Sequence, residues 1–262
     1  DNGDEIDALT NAFLDMSEQI RRQIDQLNEN DRLRRELVTN ISHDLRTPLS
    51  AMQVYIETLI IKSDSMAQDD RDRFLRIVRK HAVRLGSLIG DLFELSKLDS
   101  ASVVPHVERF SLPELVQDIA QEFHIETERK EIGLEIEVAN TPMFTLGDIG
   151  LIQRVLENLV RNAVRFTPAG GHVTISVAER PDSVAVAVFD DGPGIPEHDL
   201  PRIFDRFYRA RDGEEARSDS SGLGLAIVKR ILDLHDSRIT VASEAGNGTR
   251  FEFELPLCRQ AA

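Results

Sequence analysis

Two long runs of apolar side chains at helical spacing, split by one polar break, constrain this chain more than any other feature. Leu33, Leu37 and Ile41 lead into Leu49, Met52, Ile56 and Leu59. After the polar stretch Ser63–Asp70 the pattern resumes with Phe74, Ile77, His81, Leu85, Leu88, Leu92 and Leu95. Steps of three and four put each run on one helix face. Two such helices joined by a short polar loop make an antiparallel hairpin with an apolar stripe on each arm. A hairpin cannot hide both stripes alone, so two copies are expected to pair as an antiparallel four-helix bundle. His81 falls on the stripe and is expected to be a hydrogen-bonded core histidine.

Inside the first run lies Ile41-Ser42-His43-Asp44-Leu45-Arg46-Thr47-Pro48-Leu49. Pro48 cannot donate to the Asp44 carbonyl and crowds it, so a bend is expected beside His43. His43 sits among Ser42, Asp44 and Arg46, which favours a wet imidazole that titrates near neutrality and offers a free nitrogen lone pair. Ser42 to Leu49 resembles the phosphoacceptor box of sensor histidine kinases. The resemblance implies that His43 accepts a phosphoryl group, that Asp44 acts as base or orients the other ring nitrogen, and that Thr47 positions water for dephosphorylating a partner.

Upstream, Ile6, Leu9, Phe13, Met16 and Ile20 form a heptad seam suited to a parallel coiled coil, and Ile24 and Leu27 follow as a stutter. Asp4-Glu5-Ile6 followed by this helix resembles the second helix of a HAMP relay module, which normally follows a membrane span. The chain opens at Asp1 inside a helical pattern, as expected of a fragment whose upstream part is missing. No apolar run is long enough to span a bilayer. The formal charge of −15, from 31 basic and 46 acidic side chains, argues against nucleic acid or an anionic membrane as surface partners. With Cys258 as the only cysteine, no internal disulfide is possible and a reducing compartment is expected. The expected location is cytoplasmic, with the full-length protein in the bacterial inner membrane.

Residues 99–110 break the periodicity and read as a linker. Ser111-Leu112-Pro113-Glu114 opens a new helix with a capping box. Expected next are a strand over Leu134–Val138, a helix from about Asp148 to Phe166, and paired strands at Val173–Val177 and Val184–Val188. A helix near Leu223–Leu234 and strands near Ile239–Val241 and Phe251–Leu255 close the chain. This order suggests an α/β sandwich with helices on one sheet face.

Four pieces of this half carry polar chemistry. Asn158 and Asn162 share a helix face with Arg165 close by, and two amide oxygens can ligate a Mg²⁺ already bridging phosphates. Taken alone, an Asn pair on a helix is more often solvated. Asp190-Asp191-Gly192-Pro193-Gly194 ends an apolar strand, where a carboxylate can accept from an amino group. Ile203 to Arg209 is rich in aromatics and precedes the polar stretch Ala210–Ser221. Ser221-Gly222-Leu223-Gly224 opens a helix, and exposed amides there suit phosphate.

In this order the pieces resemble the asparagine, first glycine, phenylalanine and second glycine boxes of the histidine-kinase ATP-binding domain, a fold shared with gyrase-type ATPases. The resemblance implies that Asn158 and Asn162 hold Mg²⁺ and that Asp190 reads adenine. Gly192 and Gly194 would shape the base pocket, and Arg165, Arg209, Gly222, Leu223 and Gly224 would face the phosphates. Gly246-Asn247-Gly248-Thr249 fits the family's closing loop. Ser220 stands where another glycine is usual.

The expected architecture is α plus α/β: a relay helix and coiled coil over 1–30, a dimerisation and phosphotransfer hairpin over 31–100, a linker over 101–110 and an ATP-binding domain over 111–262. The implied function is ATP-dependent autophosphorylation of His43 in a homodimer. Transfer to an aspartate of a response-regulator receiver domain would follow, with phosphatase activity toward that partner. A gyrase-like ATPase and a dimeric scaffold without catalysis are the alternatives.

Overall fold

The computed structural model describes residues 16–17, 19–21, 23–24, 39, 41–42, 44–62, 66–100, 103–138, 143–209 and 221–258. The chain divides into two compact units, 1–85 and 86–262. Of the heptad seam, Met16, Ile20 and Ile24 are helical and exposed. Its other positions, and with them the HAMP resemblance at 4–6, lie outside the described residues.

In the first unit α1 runs over 44–61 and α2 (Gln68–Asp99) begins after the break. The Tyr55 and Phe74 rings meet at 5.3 Å, tilted by 56°, which ties the two arms of the hairpin together. Pro48 is buried within a stretch that stays helical on both sides. Leu49 and Ile56 on the stripe and Ile60 and Leu75 beside it remain exposed, so one copy leaves part of its apolar surface uncovered. His81 is half-buried, and among the described residues its solvent-shielded Nδ1 has no hydrogen-bond partner. The expectation of a satisfied ring is therefore not met at that nitrogen among the described residues.

The second unit begins with the last turns of α2. Leu95 and Leu98 join its core, as do apolar residues of α3 (Leu112–Lys130), α4 (Ile149–Phe166) and α5 (Gly224–Leu234). These helices share their core with one face of a five-stranded sheet of order β2-β4-β5-β7-β6. The strands are β2 (Gly133–Val138), β4 (His172–Glu179), β5 (Ser183–Asp190), β6 (Ile239–Ser243) and β7 (Thr249–Pro256). β2 and β4 run parallel and the other pairs are antiparallel. Val173, Ile175 and Val177 alternate inward on β4, as do Val184, Val186 and Val188 on β5. The opposite face is polar: Arg180 bridges Glu252 at 2.8 Å, and Ser183 donates to Glu254 at 2.6 Å. The expected sandwich with helices on one face is borne out.

Two short strands escaped the sequence pattern. β1 (Glu108–Ser111) and β3 (Phe144–Gly147) pair antiparallel, and the Arg109 guanidinium lies 3.8 Å over the Phe144 ring. Residues 108–110, expected in a linker, are thus a strand whose partner lies far along the chain. Ser111 caps α3 by accepting from Glu114 N, and Asp148 caps α4 by accepting from Leu151 N at 3.1 Å. The Asp148 N–H donates to His235 Nε2 at 3.0 Å, and His235 Nδ1 lies 2.8 Å from Ile231 O. That pair fixes the neutral tautomer with its proton on Nδ1, and ties the head of α4 to the end of α5.

Candidate functional site

α4 positions the amide pair. Its apolar stripe (Ile152, Val155, Leu156, Leu159, Ala163) packs into the core, and Asn158 enters with it, only 6% exposed. A buried amide needs partners, and Asn158 Nδ2 donates to Arg154 O at 2.9 Å. Its Oδ1 faces the start of α5, 3.0 Å from where a side chain at Gly224 would begin. Asn162, one turn on, is half-buried, as is Arg165, whose guanidinium lies 5.3 Å from the Phe166 ring centre. Two amide oxygens on one face are hard donors that suit a Mg²⁺ carried in by phosphates. Among the described residues no group of three or more His, Cys, Asp or Glu is placed to cage a metal.

The last residue of β5 is Asp190, 6% exposed, with Oδ1 accepting from Gly192 N at 3.1 Å. Burial pushes its carboxyl up to about 6, the Gly192 amide opposes this, and the Asp191 charge adds to it. Gly192 has no room for a side chain: a Cβ there would stand 2.7 Å from Asp190 Oδ1 and 3.0 Å from Phe166 O. Gly194 is closed in the same way by the Glu244 carbonyl. This turn therefore rests on the end of α4 on one side and the β6–β7 turn on the other. Asp191 points away and accepts from His172 N at 2.8 Å.

Gly222, Leu223 and Gly224 lead into α5, with Leu223 buried and Gly222 and Gly224 half-buried. The Ser221 hydroxyl accepts from Leu223 N at 3.1 Å. Arg209 is half-buried at the far end of the Ile203–Arg209 segment. Residues 210–220, including Ser220, lie outside the described residues. The structure thus brings Asn158 to Gly224, and Asp190 and Gly192 to the C-terminal end of α4.

Asp44 is half-buried and Thr47 exposed on α1, in the first unit. His43 lies outside the described residues.

The sequence left two features without a role, the pairing of Thr249 and the Arg154 cluster. Thr249 pairs across from Asp190 in the β5–β7 register, is buried, and lies 3.0 Å from the Ser243 hydroxyl. A threonine opening a strand straight after Gly-Asn-Gly was its only signal. The second is Arg154, which binds Glu94 (2.9 Å) and Asp91 (3.1 Å) on α2 and Glu157 (3.3 Å) on α4. Burial works against its charge, but Glu94 above all, then Glu157 and Asp91, outweigh this and raise its pKa.

Residues 147–259 match the family model of the histidine kinase-, DNA gyrase B- and HSP90-like ATPases, and residues 33–101 that of the His Kinase A (phospho-acceptor) domain. The sensor-like histidine kinase SenX3 of Mycolicibacterium smegmatis is 34% identical over 236 residues, covering 89% of this chain and 61% of that protein. The chain therefore spans about three-fifths of that relative's length. The solved catalytic domain of histidine kinase ThkA is 30% identical, with a TM-score of 0.52 over 58% of this chain and 97% of that one. ThkA solved in complex with response regulator protein TrrA gives a TM-score of 0.71 at 25% identity, over 87% of this chain and 63% of that chain. With an acceptor-domain match over the hairpin, an ATPase match over the sheet and its helices, and histidine kinase relatives at 30% identity or more, this chain belongs to the sensor histidine kinases.

Proposed function

We propose that this chain is the catalytic part of an ATP-dependent protein-histidine kinase of a two-component system. It phosphorylates its own His43 in a homodimer, passes the phosphoryl group to an aspartate of a response-regulator receiver domain, and dephosphorylates that partner. The observation that carries the reading is Asp190, a buried carboxylate at a strand end, beside a turn whose glycines let backbone pack where side chains would clash. Such an acceptor suits the exocyclic amino group of adenine, and Thr249 opposite it adds a hydroxyl.

Asn158 and Asn162 would hold Mg²⁺ through their amide oxygens, with Arg165, Arg209 and the Gly222–Gly224 amides turned to the phosphates. Bound there, the ion would offset charge on the transferring group. The neutral His43 imidazole attacks the γ-phosphorus in line; an N–P bond forms, the bond to the bridging oxygen breaks, and ADP leaves. Asp44 takes the proton from the other ring nitrogen. Thr47, one turn beyond His43, holds water for the reverse duty on the partner. TrrA bound to ThkA supports a response regulator as that partner. A HAMP-type relay over 1–30, a phosphotransfer hairpin over 31–100 and an ATP domain from 111 complete the proposal, with the full-length protein in the cell membrane.

A gyrase-like hydrolase needs a carboxylate to activate water. The Asn158 amide, its nitrogen spent on Arg154 O, offers no such base. Incubation with γ-labelled ATP tests the reading. Label that acid removes and base spares, lost in His43→Gln and kept in His81→Gln, is the expected result. A soundly folded dimer that stays unlabelled would overturn it.

A further inference from the structure

Asp199 is 3% exposed and sits nine residues before Tyr208, across the short 3-10 helix Leu200–Arg202. Its Oδ1 accepts a hydrogen bond from the Tyr208 hydroxyl, and His198 Nε2 lies 3.4 Å from the same oxygen. Its Oδ2 is shielded from solvent and has no hydrogen-bond partner among the described residues. A buried carboxyl oxygen without a partner is costly, and a leucine would fill the space without that cost. A carboxylate kept at such a position calls for a reason beyond packing.

The contacts of Tyr208 supply one. Arg202 lies 4.5 Å over its ring, and Tyr208 N donates to Asp205 O at 3.2 Å, so ring and backbone are both clamped. Its neighbour Phe207 has φ of 61°, a left-handed conformation that a bulky residue holds only when its surroundings impose it. In that conformation Phe207 N donates to Gly222 O at 2.8 Å. Gly222 is itself left-handed at φ 66°, and a Cβ there would stand 2.8 Å from the Phe207 backbone. Two residues on, Gly224 faces Asn158 Oδ1. Local contacts thus run without a break from Asp199 to the amide assigned to the nucleotide's metal.

We propose that Asp199 and Tyr208 are positioning residues for the nucleotide: their hydrogen bond holds Phe207 against Gly222 and so sets Gly222–Gly224 beside Asn158. The proposal rests on the ATP-dependent reading above. Without the bond, the competent arrangement becomes a minor fraction of the population, and apparent affinity falls by that fraction.

The test uses the full chain, a fluorescent ATP analogue for the dissociation constant, saturating-ATP phosphorylation for the rate, and thermal unfolding. Tyr208→Phe should weaken nucleotide binding roughly tenfold while the saturated rate stays within about twofold. Asp199→Asn keeps an oxygen acceptor for the hydroxyl and should bind close to wild type. Val177→Ala, a core truncation on β4, should lower the melting temperature without changing the dissociation constant. The proposal is overturned if Tyr208→Phe binds like wild type, if Val177→Ala weakens binding equally, or if Asp199→Asn binds as poorly as Tyr208→Phe. Wild-type protein that binds no nucleotide would bring down the functional reading as well. Wild type that binds, beside an unaffected Tyr208→Phe, sinks this proposal alone.

Discussion

Asp190 carries a stability cost in the same carboxyl group that the proposed function assigns to adenine. Its pKa of about 6, against 3.8 for an ordinary aspartate, means the folded protein binds this proton more tightly than the unfolded chain does. Its contribution to stability is therefore full below about pH 4 and is lost as pH rises toward 6. On the proposed function nucleotide binding should run the other way, because an amino group needs the ionised acceptor. Affinity for an ATP analogue should fall as pH drops through 6, approaching about tenfold per unit. Asp191→Asn keeps an oxygen for His172 N but removes the neighbouring charge, so the midpoint of that fall should move to lower pH. Titrations of both proteins check this, and coincident midpoints would show that Asp190 does not set the profile. At this scale the sequence was readable where a residue ends a periodic run, as Asp190 ends its strand. It was silent on Asp199 and Tyr208, because side-chain pairs across an irregular turn follow no period.

Among elements, α4 was the most legible, because its stripe runs unbroken from the Asp148 cap to Phe166. β1 and β3 were illegible for the opposite reason. Four residues give too little alternation to detect, and their stability comes from each other and from a bridge between Thr145 and Leu257. The Arg154 cluster was hidden too, since α2 and α4 meet through residues about sixty positions apart. Arg154 is 25% exposed and compensates three carboxylates, while its carbonyl orients Asn158. Breaking a fully buried pair costs roughly 3–5 kcal/mol. Partial contact with water should bring Arg154→Ala to about 2 kcal/mol. Urea unfolding measures this, and Asp91→Asn in the Arg154→Ala background should recover part of it. An Arg154→Ala midpoint equal to wild type would mean the cluster contributes shape alone.

The whole molecule poses a problem that is sharpest at its helical hairpin. Residues 86–262 close a core around their own sheet, whereas the hairpin leaves Leu49 and Ile56 of its stripe, and Ile60 and Leu75 beside it, in water. Burying a side chain of that size stabilises by about 1.5–3 kcal/mol. Two copies joined face to face would gain that several times over, against the repulsion of a chain carrying −15. The expectation of a homodimer thus reduces to whether this stripe is the interface. A twofold axis presents every interface substitution twice, so Ile56→Glu would bury two unpaired carboxylates or keep the copies apart. Light scattering should then report for wild type about twice the mass it reports for Ile56→Glu. Nucleotide binding should survive in the variant, because Asp190 and Asn158 lie in the unit that folds around its own sheet. An Ile56→Glu protein that still pairs would place the interface elsewhere. One that separates and also loses nucleotide affinity would show that the ATP site depends on pairing.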